Sequence, residues 1–124
     1  MCGRYTLIAK AEEIEKRFNV QVKEKLVPRY NAAPTQALPV ITNESKNRLL
    51  NFSWGLLPSW SNEKPQSMRI INVREESMTE KPAFSRLLEH KRCLIPANGY
   101  YEWKRITKKG KIPYYICLKT NELF

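Results

Sequence analysis

The sequence predicts a strand-rich α+β domain. Most of its apolar segments are short, and several alternate with polar residues, which is typical of half-buried β-strands. Apolar residues recur at helical spacing in two segments, and several strand-like segments separate them. The 124 residues contain no low-complexity or linker-like stretch, so residues 1–124 are predicted to form a single domain.

The amino-terminal half is predicted to contain a strand, a helix and a β-hairpin. Residues 3–8 form the strand, and the helix that follows places Ile14 and Phe18 on one face. A proline-marked connection leads to the hairpin, which pairs residues 38–42 with residues 48–54. Apolar and polar residues alternate in the second of these strands, so we expect its apolar side chains to be buried.

The carboxyl-terminal half is predicted to contain a second helix and three strands. The helix covers residues 80–91, with Thr79 as its N-cap and Pro82 in its first turn. The strands are expected at residues 93–95, 99–104 and 114–119. The final residues, 121–124, look like the start of a further strand, which indicates that the remainder of the domain is missing.

The charge of the chain indicates the class of partner. Twenty-two lysine and arginine residues stand against 12 aspartate and glutamate residues, which leaves a formal net charge of +10. This balance favours a polyanion such as nucleic acid. No apolar stretch approaches the roughly 18 residues of a membrane span, and the start of the chain lacks a secretory signal. We therefore expect a cytoplasmic protein that does not contact a membrane.

Cys2 is the residue with the clearest chemical potential. Removal of Met1 would place its thiol beside a free α-amine. The amine can condense with an aldehyde to an imine, and the thiol can then close a five-membered thiazolidine ring. Unperturbed pKa values of about 8 for the amine and about 8.5 for the thiol make both reactive forms accessible near neutral pH. The alternative is that a cysteine at this position has no role.

The other two cysteines are predicted to be structural. Cys93 and Cys117 lie in apolar, strand-like segments, where free cysteine behaves as a small buried hydrophobe. The three cysteines do not show the spacing of metal ligands, so no metal site is predicted.

Five segments together resemble the SRAP family, the SOS response-associated peptidases or abasic-site processing proteins. They are the start at Cys2, YNAAPT at 30–35, WGLLPSW at 54–60, INVREE at 71–76 and GYYEWK at 99–104. The resemblance implies an α+β fold with a β-barrel-like core and flanking helices, of which this chain is the amino-terminal portion. It also implies a protein of the DNA damage (SOS) response that needs no cofactor. Such a protein cross-links to abasic sites in single-stranded DNA through Cys2 after Met1 is removed.

The resemblance also assigns two further catalytic residues. Asn72 matches the active-site asparagine of the family, whose neutral amide can hydrogen-bond the sugar or hold the Cys2 terminus. Glu102 matches the catalytic glutamate, and we expect a partly desolvated carboxyl with a raised pKa that moves protons during imine formation and ring closure. The alternatives are an ordinary strand-end asparagine and a solvated carboxylate.

Four residues are predicted to bind DNA. Arg74 matches the phosphate-binding arginine of the family, and Arg4 is expected to point to the same face as Cys2, toward the DNA backbone. Trp54 and Trp60 are candidates for stacking on unpaired bases, which contributes about 1–3 kcal/mol per base. The alternatives are surface cations and core tryptophans.

One departure from the family raises two other interpretations. The resemblance implies a catalytic histidine beyond residue 124, whereas the histidine of this chain, His90, is predicted to be a helix-end cation. The chain could therefore be an inactive, truncated fragment that only binds single-stranded DNA, and an exposed strand edge would promote its self-association. A cysteine peptidase is the other alternative. Beyond the removal of Met1, the sequence shows no second base that would support peptide hydrolysis.

Overall fold

The fold was analysed in a computed structural model, which describes residues 2–58, 69–108 and 110–124. It contains seven strands and three helices in these ranges. The strands are β1 Tyr5–Leu7, β2 Arg29–Ala32, β3 Ala37–Thr42, β4 Leu50–Ser53, β5 Cys93–Leu94, β6 Gly99–Arg105 and β7 Lys111–Ile116. The helices are α1 Ala11–Phe18, α2 Glu75–Met78 and α3 Pro82–His90.

The strands form two antiparallel sheets. The first has the order β2-β1-β6-β7, and the second has the order β4-β3-β5. In the part of the chain that the structure describes, the two sheets do not close into a barrel. The expected strand-rich α+β class is confirmed, and β2, β7, β4 and β5 each remain at the edge of a sheet, as an incomplete barrel-like core would leave them.

The core is built around β1, which lies between β2 and β6. Tyr5 pairs with Ala32 on one side and with Tyr100 on the other. All three residues of β1 are buried, and Leu7 is completely inaccessible to solvent. The central strand of a sheet has neighbours on both edges, so its backbone is satisfied by strand pairing and its side chains can be enclosed.

The predicted first helix is confirmed, and it closes one side of the core. Ile14 on α1 is fully buried, and Phe18 packs against the same cluster. The Glu13 carboxylate accepts a hydrogen bond of 2.7 Å from the backbone N–H of Lys10, which satisfies a donor at the start of the helix. Asn19 ends the helix in the left-handed conformation, with φ of 54°.

The predicted hairpin is also confirmed. β3 pairs with β4 in an antiparallel register that sets Leu38 opposite Phe52. The burial of the two strands differs, because Leu38 is 3% exposed and Phe52 is 52% exposed. The expectation that the apolar residues of the second strand are buried is therefore wrong for Phe52, since β4 is an edge strand.

The second helix begins later than expected. The structure has a short helix α2, which ends before Thr79, and a separate helix α3 that starts at Pro82. Lys81 is extended, with φ of −87° and ψ of 121°. The residue before a proline is disfavoured in the helical region, and proline suits the first helical position. Thr79 is therefore not the N-cap of α3.

The predicted burial of two cysteines is wrong. Cys93 on β5 and Cys117 just after β7 are both exposed. Both belong to edge strands or their ends, so one side of each segment lacks a neighbouring strand in the described structure. β7 itself begins at Lys111, three residues before the predicted start.

The end of the chain lies against the loop before β6. Residues 121–124 are not a strand of either sheet, but Phe124 and Ala97 exchange two backbone hydrogen bonds of 2.9 Å. Leu123 is 7% exposed and belongs to the core. Across the described residues, every helix is too short or too polar to cross a bilayer.

Candidate active site

A cavity of about 340 Å³ lies beside the first residues of the chain. It brings together two of the predicted catalytic residues and one predicted stacking residue. Its lining consists of Cys2, Tyr5, Trp54, Ile71, Asn72, Ile95, Ala97 and Tyr100. The lining is mainly apolar, so the few polar groups in it are positioned to orient whatever enters.

Cys2 is held at this cavity by the backbone that follows it, at Arg4. The backbone N–H of Tyr101 donates a hydrogen bond of 2.9 Å to the Arg4 carbonyl, which extends the pairing of β1 with β6 toward Cys2. The Cys2 thiol donates to the same Arg4 carbonyl, with 3.4 Å between Sγ and O. Cys2 is half-buried, so its thiol lies at the surface of the cavity.

Asn72 approaches Cys2 from a distant part of the sequence. Its Nδ2 donates a hydrogen bond of 3.1 Å to the Cys2 carbonyl. The segment that carries Asn72 is held by Leu56 and Ile70, which exchange two backbone hydrogen bonds of 2.9 and 3.0 Å, and by the indole N–H of Trp54, which donates to the Ile71 carbonyl. The structure thus brings Cys2 and Asn72 together, as the amide role inferred from the sequence requires.

Glu102 lies on β6, opposite Tyr114 of β7. A hydrogen bond with the amino terminus of the chain is the largest influence on its carboxyl and lowers its pKa below the ordinary value of 4.5. Desolvation acts in the opposite direction and is outweighed, while the charge of the amino terminus and the Trp103 backbone also lower the pKa. The expected rise in the pKa of Glu102 is therefore wrong, because a nearby cation favours the carboxylate more than desolvation disfavours it.

The two predicted DNA-binding arginines each follow one of these groups in sequence, Arg4 two residues after Cys2 and Arg74 two residues after Asn72. The Arg4 guanidinium donates a hydrogen bond of 2.7 Å to the Gly3 carbonyl, next to Cys2. Arg74 is exposed, two residues after Asn72, and its extended backbone leads into α2. Each arginine therefore lies two residues in sequence from a residue that lines the cavity.

Of the two predicted stacking tryptophans, the structure describes Trp54. Trp54 is half-buried and packs against Tyr5, with ring centroids 5.7 Å apart and ring planes inclined by 52°. It borders both the core and the cavity, so it combines the two roles considered for it. Trp60 lies outside the described residues.

Tyr5 is a polar residue of this cavity that the sequence reasoning missed. It is 5% exposed, and its hydroxyl has no hydrogen-bond partner among the residues that the structure describes. Desolvation raises the pKa of Tyr5 to about 12, against the opposing charge of Arg29. A signal was present in the sequence, because a tyrosine in an apolar strand close to a reactive cysteine needs a partner for its hydroxyl.

No group of three or more histidine, cysteine, aspartate or glutamate side chains is arranged to hold a metal ion within the described ranges. His90 is at the end of α3, where it is exposed. The polar side chains that line the cavity with Cys2 include the Asn72 amide and the phenols of Tyr5 and Tyr100.

Comparison with known proteins relates the whole chain to one family. Residues 1–124 match the family model described as SOS response associated peptidase (SRAP). The chain is 45% identical to the abasic site processing protein YoaM of Bacillus subtilis over 128 residues, which cover 100% of this chain and 56% of YoaM. It is 32% identical to the abasic site processing protein HMCES of Xenopus tropicalis over 143 residues, which cover 94% of this chain and 42% of HMCES. The chain thus spans about half the length of these relatives.

Solved structures support the same relationship. A crystal structure of a protein from Bacteroides thetaiotaomicron superposes with a TM-score of 0.83 at 30% identity, over 99% of this chain and 57% of that one. A phage-related protein of Bordetella bronchiseptica gives a TM-score of 0.75 at 27% identity, over 98% of this chain and 57% of that one. With the same family model matching from the first residue to the last, the chain belongs to the SOS response associated peptidase (SRAP) family.

Proposed function

We propose that this protein processes abasic sites in single-stranded DNA, as part of the response to DNA damage. It does so by forming a covalent thiazolidine cross-link through Cys2 after Met1 has been removed. Family membership and relatives named as abasic site processing proteins support the proposal. The observation that carries it is the hydrogen bond between the Asn72 amide and the Cys2 carbonyl at the edge of a cavity.

The proposed reaction uses atoms of the chain and the DNA alone. The α-amine of Cys2 attacks the aldehyde carbon of the ring-opened sugar, a C–N bond forms, and the aldehyde oxygen leaves as water. The thiol sulfur then bonds to the imine carbon, and its proton passes to the imine nitrogen. An amine, a thiol and an aldehyde thus become one five-membered ring and one water molecule.

Asn72 and Glu102 have separate roles in this reaction. Asn72 orients Cys2 through its carbonyl and adds no charge that would compete for the amine. Glu102 is a carboxylate at neutral pH, as an ordinary glutamate is, so it starts as a proton acceptor. We propose that it takes the proton that the α-ammonium must lose before the nitrogen can attack.

Binding of the DNA strand is assigned to the basic surface. The net charge of +10 attracts the phosphates. Arg4 lies two residues after Cys2, and Arg74 lies two residues after Asn72. Trp54 at the cavity and Trp60 are the proposed contacts for unpaired bases. Binding that depends on phosphates weakens with added salt, so affinity measured at two salt concentrations tests this assignment.

The proposed peptidase activity is limited to the chain itself. Removal of Met1 by autoproteolysis exposes the Cys2 amine, and the lyase-type chemistry on the abasic site follows from that amine. A substitution that leaves Met1 in place would prevent cross-linking without preventing DNA binding.

Intact mass spectrometry tests the proposed function directly. The purified chain is measured before and after incubation with a single-stranded oligonucleotide that contains one abasic site, alongside Cys2→Ala. We expect loss of Met1 and a heat-stable adduct whose mass is the sum of protein and oligonucleotide minus one water. The Cys2→Ala chain should form no such adduct, because its thiol is absent.

A second candidate function is non-covalent binding of single-stranded DNA. It is favoured by one observation, namely the net charge of +10, which attracts phosphates whether or not Cys2 reacts. In the same experiment, Met1 removal with DNA binding but without an adduct would select this function and reject the covalent one.

We also propose that the chain associates with a second copy through β7. All six residues of β7 are exposed, and in the described structure this strand pairs only with β6. An unpaired apolar edge is a template for another strand. Sedimentation velocity should show association that rises with concentration and is weakened by Tyr114→Lys. A sedimentation coefficient independent of concentration would contradict it.

A further inference from the structure

The Tyr5 hydroxyl is an unusual group in this structure. Tyr5 is 5% exposed, and no described residue accepts or donates a hydrogen bond to its hydroxyl. Burial of a hydroxyl without a partner costs free energy, so such groups are rare in native proteins. An exception in a protein interior calls for a partner that arrives from elsewhere.

The surroundings of Tyr5 keep the hydroxyl where it is. The backbone is paired on both sides, with Ala32 of β2 and Tyr100 of β6. The ring packs against Trp54, with centroids 5.7 Å apart. Because the backbone and the ring are both held, the side chain cannot turn toward solvent to find a water partner without disrupting the core.

The Tyr5 side chain lines the candidate active site and also a second cavity, of about 350 Å³, which Trp54 and Cys93 line with it. It lines the same cavity of about 340 Å³ as Cys2 and Asn72. The charged or titratable groups that influence it are Arg29, Cys2 and Cys93. Its pKa of about 12 means that the phenol keeps its proton at neutral pH. It can therefore donate a hydrogen bond in the cavity, and it cannot serve there as a base.

We propose that Tyr5 is a further substrate-contacting residue, whose O–H donates a hydrogen bond to the aldehyde oxygen of the ring-opened sugar. This inference rests on the proposed function. As the Cys2 amine bonds to the aldehyde carbon, the carbonyl π electrons move onto the oxygen, which then takes the proton released by the amine. Tyr5 keeps its own proton, and its hydrogen bond strengthens as negative charge builds on the oxygen.

The substitution Tyr5→Phe tests this role, because it removes the hydroxyl and retains the ring that packs against Trp54. Tyr30→Phe, on β2, is the matched control, because Tyr30 is 70% exposed. Two quantities are measured for each chain: the urea midpoint of unfolding, and the rate of adduct formation as a function of oligonucleotide concentration. The rate is also followed from about pH 6 to about pH 9, a range in which the phenol keeps its proton.

We expect Tyr5→Phe to unfold at the same or a higher urea concentration, since an unpaired polar group has been removed. Its maximal rate of adduct formation should fall about tenfold, with the half-saturating oligonucleotide concentration unchanged, since the bond strengthens in the transition state. The loss should be the same at every pH. Tyr30→Phe should match the wild type in all respects.

Three outcomes would overturn the inference. Wild-type rates in Tyr5→Phe would show that the hydroxyl does not contact the sugar. A lower urea midpoint in Tyr5→Phe would assign the hydroxyl to a structural partner such as a bound water. A wild-type chain that forms no adduct would reject the proposed function itself, and this inference with it.

Discussion

Two strands of the same sheet, β1 and β7, have opposite surroundings. The three residues of β1 are all buried, whereas the six residues of β7 are all exposed. Composition does not explain the contrast, because β7 contains two isoleucines and two tyrosines. Position explains it: β1 lies between β2 and β6, and β7 lies at the edge of the sheet.

This difference shows which part of the sheet is enclosed and which part is open to solvent. The candidate catalytic cysteine lies three residues before the enclosed strand β1, and Tyr5 of β1 and Tyr100 of β6 form part of the cavity wall. β7 also carries apolar side chains, but these are exposed to solvent. The comparison therefore predicts that changes near β1 affect stability and capture, while changes on β7 affect association.

The largest expected effect is on the core side of the comparison. Leu7→Ala removes a fully buried side chain, so it should lower the free energy of unfolding by about 2–5 kcal/mol. Ile112→Ala on β7, where the side chain is 46% exposed, should change it by less than about 0.5 kcal/mol. Urea unfolding of both variants measures the difference. Equal losses would mean that β7 is enclosed in solution.

Gly99 links the two regions and provides the next test. It pairs with Thr6 of β1, and a Cβ atom at this position would overlap with the ring of Tyr115 on β7. Gly99→Ala should displace that ring and break the 2.8 Å hydrogen bond between the Thr6 and Tyr115 hydroxyls. We expect a loss of about 1–3 kcal/mol in urea unfolding.

Gly3→Ala is the control for this substitution, because no atom lies within 4 Å of a Cβ placed there. It should leave the free energy of unfolding within about 0.5 kcal/mol of the wild type. If Gly99→Ala also left the free energy of unfolding unchanged, the contact between Thr6 of β1 and Tyr115 of β7 would not contribute to stability. The two strands would then be independent.

A smaller effect is expected at the amide that holds Cys2. Asn72→Ala removes the 3.1 Å hydrogen bond to the Cys2 carbonyl, so the rate of adduct formation should fall about tenfold, equivalent to about 1.4 kcal/mol. Asn51→Ala is matched, since Asn51 also donates one side-chain bond, of 2.8 Å to Glu24. Single-turnover cross-linking distinguishes them. An unchanged rate in Asn72→Ala would remove this residue from the site.

The smallest effect concerns the pH dependence of stability. Because the pKa of Glu102 is lowered in the folded state, its contribution is fully present above the ordinary value of 4.5 and is lost as the pH falls through the folded value. Glu102→Gln lacks this contribution. Urea midpoints of the two chains should differ at neutral pH and converge in acid. A wild type that is less stable than Glu102→Gln at neutral pH would mean that the pKa is raised.

Local patterns in the sequence were sufficient for several elements. Helix α1 follows from its apolar face, and β6 and the β3–β4 hairpin follow from alternation and from the flanking turn residues. The start of α3 was misjudged even though its cause is local, because the extended residue before Pro82 determines it. Such elements depend on interactions within a few residues.

The sequence by itself determined the family, the choice of Cys2 as the candidate nucleophile and the strand-rich class, since these depend on residue identity and short-range spacing. Only the tertiary structure decided that Asn72 reaches the Cys2 carbonyl from 70 residues away, and that the amino terminus lowers the pKa of the Glu102 carboxyl. It also decided that Tyr5 is buried without a partner among the described residues while Cys93 is exposed. The physical reason is that burial, pairing and electrostatic neighbours are properties of position in a sheet, and two segments with similar local patterns occupy a centre and an edge.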